Sequence, residues 1–296
     1  MAMSQRWKRA LHWAGSILAL AGVAFVAQRL WSYGADIRPG RLGTAQWAGI
    51  AVLSAVYGAS NLFLALAWRH LLTGFGQRRP MAWAVRVFGI SQIAKYLPGN
   101  IFHLAGRQAM GMADGVPGWL LARSMAWELG LLVLAGCLFL FPLLPLLRPG
   151  IPAAAAAAAF ILSASACLLL LWRLVNRDMA LAMAWHGVFL FASGLIFLAT
   201  YLLVAPSGSA APMALLPLMV AAYVIAWLAG LLTPGAPAGV GVREMVMILL
   251  MAPLVPEAAL VFAVLLSRVV TVCGDTLFYL AAHLKATPPA EPGGCD

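Results

Sequence analysis

The segment KYLPGNIFHLAGR (residues 95–107) interrupts one apolar stretch of this chain, and LLTPGAPAGVGVRE (residues 231–244) interrupts another in the same way. Each segment contains a Pro-Gly pair, and an arginine follows nine residues after each proline, Arg107 in the first and Arg243 in the second. Proline lacks the backbone donor of a helical residue, and glycine adopts backbone angles that other residues avoid. Interrupted helices are tolerated in a bilayer only where protein or a water-filled cavity surrounds them, and paired ones are typical of transport sites. The alternative is two proline kinks whose spacing matches by chance.

The composition indicates an all-α polytopic membrane protein. The chain has 296 residues, of which 64% are hydrophobic and 9% charged, whereas a soluble domain has about 25% charged residues. Several windows of about 20 apolar residues match a hydrocarbon core of ~30 Å. The net charge of +10 does not indicate nucleic-acid binding, because the basic residues are scattered at the ends of apolar stretches.

We predict about six continuous transmembrane helices and two interrupted segments in one transmembrane domain, residues 1–285. The continuous spans are 11–31, 45–67, 119–146, 152–172, 182–204 and 258–283, and the interrupted segments are 81–112 and 213–252. Each interrupted segment is either a re-entrant hairpin or a pair of short crossings. The alanine run Ala153–Ala159 is expected to pack closely against a neighbouring helix, and the Pro/Gly-rich tail 286–296 is expected to be disordered.

The distribution of lysine and arginine predicts that both termini are cytoplasmic, in a multi-pass protein of the cytoplasmic membrane. With a cytoplasmic N-terminus, the inner loops carry Arg6, Lys8, Arg9, Arg69, Arg78, Arg79, Arg173, Arg177 and Lys285, and the outer loops carry Arg38, Arg41 and Arg148. Positive residues favour the cytoplasmic side. The first interrupted segment then enters the membrane from the cytoplasm and the second from outside, as in an inverted repeat.

Several charged residues lie within or beside apolar segments: Lys95, Arg107, Arg123, Glu128, Arg243, Glu244, Arg268 and Asp275. A charge at mid-membrane costs roughly 2.5–3.5 kcal/mol, so these groups are expected to form pairs or to line a wet cavity. Arg123 precedes Glu128 by five residues, which is not the favourable helical spacing. We therefore expect Glu128 and Glu244 each to contact a basic residue from another segment. Ion pairs that only hold helices together remain the alternative, and Lys95 has the further alternative of extending to the membrane surface.

The excess of arginine favours an anionic ligand, because guanidinium binds phosphate through two parallel hydrogen bonds. A helix that begins after each break would direct free N–H groups at such a ligand. Gly235, Gly239 and Gly241 would let a headgroup approach the backbone. The four cysteines form no CxxC pair, and we predict neither a metal site nor a cofactor.

Four segments of the chain resemble the lysylphosphatidylglycerol synthase transmembrane-region family of flippase-like membrane proteins. They are SQIAKYLPGNIFHLAGR, RSMAWELG, TPGAPAGVGVREMVMILL and the later LLSR, and the resemblance extends over about residues 11–284. It implies handling of anionic lipids or lipid-linked intermediates, with the membrane region alone and no synthase activity. The implied substrate-binding residues are Lys95, Pro98, Gly99, Arg107, Glu128, Pro234, Gly239, Gly241, Glu244 and Arg268, to which the break spacing adds Arg243. The chain departs from the usual Gly-Gly pair of the family at Ala238-Gly239.

The sequence therefore predicts a flippase or scramblase for an anionic phospholipid or lipid-linked intermediate, with no enzymatic activity. The alternatives are an integral membrane transferase that acts on a polyprenyl-phosphate or similar substrate, and an accessory subunit of a partner enzyme. The chain has only nine acidic residues, without a cluster on a loop, which argues against a metal-dependent transferase. The expected partners are a membrane lipid with an anionic headgroup and either a second copy of the chain or an enzyme of a lipid or glycan pathway.

Overall fold

The computed structural model describes residues 42–96, 102–205, 215–233 and 239–284, and these residues are helical without any strand. The helices are α1 Thr44–Gly74, α2 Met81–Gln92, α3 Phe102–Ala113, α4 Gly118–Leu138, α5 Ala153–Leu174, α6 Arg177–Val204, α7 Leu216–Leu232, α8 Val242–Met251 and α9 Glu257–Leu284. A 3-10 turn, Ile93–Tyr96, follows α2, and a 3-10 turn, Phe141–Leu143, and a short helix, Leu144–Leu147, follow α4. Several features predicted from sequence lie outside the described residues: the first span 11–31, the break residues Pro98, Gly99, Pro234 and Gly235, and the tail 286–296.

Within the described residues, five helices are long and apolar enough to cross a membrane. They are Thr44–Gly74, Gly118–Leu147, Ala153–Leu174, Arg177–Val204 and Glu257–Leu284. Each contains one of the continuous spans predicted at 45–67, 119–146, 152–172, 182–204 and 258–283, or nearly all of it. The prediction of a multi-pass all-α membrane protein is confirmed at this level.

Each interrupted segment forms two short helices on either side of the predicted break. Helices α2 and α3 have 12 residues each, and α7 and α8 have 17 and 10, whereas about 20 residues are needed to cross the hydrocarbon core. Helix α2 tightens into its 3-10 turn before the first break, as helices often do where they end. The order long, short, short, long therefore occurs twice, in α1 to α4 and in α6 to α9. Helix α5 lies between the two sets.

The centre of the bundle depends on a close crossing of α1 and α9. A Cβ atom added to Gly58 would lie 2.7 Å from the carbonyl oxygen of Gly274, and one added to Gly274 would lie 2.6 Å from the carbonyl oxygen of Ser54. Only glycine permits this separation, as is common where helices associate in membranes. The crossing places Asn61, one turn after Gly58, opposite Asp275.

Helix α5 is peripheral, and the prediction of close packing for the alanine run was wrong. Ala156 is the one buried residue of this helix. Lipid is as apolar as alanine, so there is no hydrophobic penalty for leaving the other alanines at the lipid-facing surface.

Candidate functional site

One cavity lies between the helix ends that flank the two predicted breaks. Four cationic side chains line it: Lys95, Arg107, Arg243 and Arg268. Its volume is about 70 Å³, and about 10–15 Å³ is enough to hold one water molecule. The cavity therefore has room for several waters or for a small charged group.

Arg107 on α3 is paired with Glu128 on α4. Its Nη1 atom donates to both carboxylate oxygens, at 2.7 Å to Oε1 and 2.6 Å to Oε2. Its guanidinium carbon lies 4.1 Å from the ring centre of Phe88 and 5.4 Å from that of Trp68. Both charged side chains are buried. The prediction that Glu128 contacts a basic residue from another segment is confirmed.

Glu244 on α8 is paired with Arg268 on α9, which confirms the same prediction for the second carboxylate. Its Oε1 atom accepts from Nε of Arg268, and its Oε2 atom accepts from the backbone N–H of Gly241 at 2.7 Å. Nη2 of Arg268 donates to the carbonyl oxygen of Gly239 at 3.1 Å. These bonds hold α8, α9 and the chain after the second break together.

These contacts change the roles expected for two glycines. A Cβ atom added to Gly239 would lie 2.7 Å from Cα of Gly230 on α7, so Gly239 allows two protein segments to meet and does not leave room for a headgroup. Gly239 and Gly241 also have φ angles of 70° and 85°, which favour glycine. Because the carboxylate of Glu244 accepts the Gly241 N–H, that donor at the start of α8 is not free for a phosphate.

Lys95 is held inside the protein by Asp275 on α9. Nζ of Lys95 lies 2.8 Å from Oδ2 of Asp275, the Tyr96 hydroxyl donates to the same oxygen at 2.5 Å, and Nδ2 of Asn61 donates to Oδ1 at 3.2 Å. The lysine side chain is 16% exposed and the aspartate side chain 0% exposed. The alternative in which Lys95 extends to the membrane surface does not fit this geometry.

Arg243 on α8 differs from the other three cations of the cavity. Its guanidinium carbon lies 5.4 Å from the ring centre of Trp227, and its buried Nε atom, like that of Arg107, has no hydrogen-bond partner. Among the described residues it makes no ion pair with a carboxylate. Gly230 leaves the space that this side chain occupies, because a Cβ atom there would lie 3.3 Å from Nε of Arg243.

The charged side chains that line the described part of the cavity, together with Glu244 bound to Arg268, therefore sum to one net positive charge. Lys95, Arg107 and Arg268 are each matched by one carboxylate, of Asp275, Glu128 and Glu244 in turn. Arg243 is the fourth cation. With His103, which also lines the cavity, counted as neutral, the formal charge of these side chains is four minus three, or +1.

Sequence reasoning brought most of the charged residues to this site and missed some of their partners. Asp275 was expected only as a charge to be matched, and Trp227 was not among the predicted site residues. Tyr96 and Asn61 were not singled out, although Tyr96 lies within the KYLPG segment itself. Arg123 is exposed, with its guanidinium carbon 4.5 Å from the ring centre of Phe75.

No protein-family model and no curated protein sequence matches this chain.

Proposed function

We propose that this protein is a flippase-like or scramblase-like transporter that moves an anionic phospholipid or lipid-linked intermediate across the cytoplasmic membrane. The observation that carries the proposal is Arg243, a cation without a carboxylate partner among the described residues, beside a cavity within a membrane protein. A charge in such a place is expensive, and it usually belongs to a substrate or ion pathway. The headgroup would bind in the cavity while the acyl chains stay in lipid.

A phosphate suits the chemistry of Arg243, which has no carboxylate partner among the described residues. Guanidinium offers a planar set of donors that binds two phosphate oxygens at once. The ring of Trp227 supports one face of the group by a cation–π contact. A phosphate in the cavity that Arg243 lines would accept hydrogen bonds from its guanidinium group.

The repeated order of helices supports an inverted repeat. The first set contains two long helices, α1 and α4, and the second contains α6 and α9; one long helix, α5, lies between the sets. Because α5 is a single crossing between the two sets, the second set would enter the membrane from the side opposite to the first. Inverted repeats with interrupted helices at the membrane centre are the common architecture of secondary transporters. The resemblance to the lysylphosphatidylglycerol synthase transmembrane region supports the same function, with both termini in the cytoplasm.

The proposal is tested by measuring leaflet exchange in proteoliposomes. Fluorescent phospholipids with anionic or zwitterionic headgroups are placed in both leaflets, and a membrane-impermeant quencher reports how quickly the inner pool becomes accessible. The wild-type protein is compared with Arg243→Gln and with Arg123→Gln, a matched control because Arg123 is exposed and lies outside the cavity lining. We expect the wild type and the control to accelerate exchange of the anionic lipid.

We expect Arg243→Gln to slow that exchange by about tenfold or more, because a hydrogen bond to a charged group contributes roughly 1.5–3 kcal/mol. Arg243→Lys keeps the charge but loses the planar arrangement of donors, so its exchange rate should lie between those of the wild type and Arg243→Gln. Folding of each variant is checked by gel filtration and circular dichroism. Wild-type protein that accelerates no lipid, or a folded Arg243→Gln variant that exchanges lipid at the wild-type rate, would refute the proposal.

A further inference from the structure

We propose that Asp275 sets the charge of the cavity and so restricts it to headgroups that carry a single negative charge, such as a phosphodiester. This inference rests on the proposed function, because it concerns which anion the same cavity accepts. It makes Asp275 a residue that determines specificity without contacting the ligand.

Three side chains hold the carboxylate of Asp275 in place. The carboxylate accepts hydrogen bonds from Asn61 on α1 and from Tyr96 in the 3-10 turn, and it is paired with Lys95. The preceding residue, Gly274, lies at the close crossing of α1 and α9, so the backbone next to Asp275 is packed directly against α1. A carboxylate held in this way remains the partner of the lysine when a ligand enters.

The charge of the cavity follows from that arrangement. With Asp275 opposite Lys95, one net positive charge is left at Arg243 among the described residues. A singly charged phosphodiester brings the site to neutrality. A phosphomonoester carries about −1.5 to −2 charges at pH 7, so it would leave excess negative charge in a place with little water, which is unfavourable.

Replacing Asp275 by the isosteric asparagine reverses the preference. Lys95 would then have no carboxylate partner, the described cavity would carry a formal charge of +2, and a doubly charged phosphomonoester would become the better match. The double variant Lys95→Gln/Asp275→Asn returns the count to +1. If charge decides the selection, the double variant regains the wild-type preference although both side chains have changed.

The experiment measures the binding of two short-chain probes to purified full-length protein in uncharged detergent at pH 8. The probes are dihexanoyl phosphatidylglycerol, a phosphodiester, and dihexanoyl phosphatidic acid, a phosphomonoester; binding is measured by tryptophan fluorescence and by microscale thermophoresis. Asp114→Asn is the matched control, because Asp114 accepts hydrogen bonds from Trp83 and Arg86 and does not line the cavity.

We expect the wild type and Asp114→Asn to prefer the phosphodiester. The ratio of the two affinities should move by about tenfold or more toward the phosphomonoester in Asp275→Asn, which corresponds to one charge-assisted contact, and should return in the double variant. If Asp275→Asn does not fold, Lys95→Gln alone decides the matter: it brings the count to zero, and we expect it to bind the phosphodiester about tenfold more weakly.

Three results from the variants would overturn the inference. The first is a folded Asp275→Asn protein with the wild-type ratio, the second is a double variant that keeps the ratio of Asp275→Asn, and the third is a Lys95→Gln protein with wild-type affinity for the phosphodiester. Wild-type protein that binds both probes equally refutes the charge selection but leaves an anionic-lipid site in place. Wild-type protein that binds neither probe refutes the proposed function as well.

Discussion

The ion pair between Arg107 and Glu128 allows a quantitative test of the site. Both side chains are buried, at 6% and 8% exposure, and the arginine donates to both carboxylate oxygens. Replacing Arg107 by alanine would leave the carboxylate of Glu128 in an apolar environment without its partner. Removing one member of a buried pair costs about 3–5 kcal/mol, and the lost packing on Phe88 and Trp68 adds to that cost.

We expect Arg107→Ala to lower the midpoint of thermal unfolding in detergent by on the order of 10 °C, since 1 kcal/mol corresponds to roughly 2–4 °C for a chain of this size. The double variant Arg107→Met/Glu128→Leu replaces the pair by apolar side chains of similar volume, an exchange that is often neutral for stability. It should therefore unfold within a few degrees of the wild type. Unfolding is followed by intrinsic tryptophan fluorescence at several heating rates, so that irreversible aggregation is recognised.

This prediction would be refuted if Arg107→Ala unfolded at the wild-type temperature, because the carboxylate of Glu128 would then have water or another partner. It would also be refuted if the double variant were no more stable than the single one. In that case the loss would come from the shape of the arginine and not from an unmatched charge.

Two other predictions concern the fold. Gly274→Ala should destabilise the protein by about 1–3 kcal/mol, because the new Cβ atom would press on the backbone of Ser54. In the same thermal assay Gly130→Ala should be neutral or stabilising, because its Cβ atom would meet nothing within 4 Å. Equal effects of the two changes would contradict the close crossing of α1 and α9. For topology, single cysteines are introduced at Gln77 and Gly150 in a cysteine-free background and labelled with a membrane-impermeant maleimide. The cysteine at position 150 should react in intact cells, and the cysteine at position 77 only after permeabilisation. Labelling of both from one side would contradict the proposed orientation.

The long helices could be predicted from sequence because each depends on a local property, a run of about 20 apolar residues. The Pro-Gly pairs likewise predicted where α2 and α7 end, since proline and glycine act on the backbone next to them. The partners of Glu128 and Glu244 could be inferred by elimination, because few basic residues lie in apolar sequence and a buried carboxylate needs one of them.

The remaining details depend on contacts between distant parts of the chain. Lys95 and Asp275 are 180 residues apart (275 minus 95), and they meet because α2 packs against α9, where Gly89 lies against Ala282. The role of Gly239 was wrong for the same reason, because nothing beside Gly239 in the sequence shows that Gly230 lies against it. Sequence spacing treated Arg107 and Arg243 as equivalent, and only the folded arrangement gives Arg107 a carboxylate partner and Arg243 none among the described residues.

We propose that the side chain of Arg243 binds the phosphate of a lipid headgroup. The most direct test is an experimental structure of the protein in nanodiscs that contain an anionic phospholipid, compared with one in nanodiscs of zwitterionic lipid. We predict density for a phosphate within hydrogen-bond distance of the guanidinium, about 3 Å, in the anionic nanodiscs, with the Lys95–Asp275 pair unchanged. A cavity that contains only water in the anionic lipid, or a carboxylate of the protein bound to Arg243, would contradict the account.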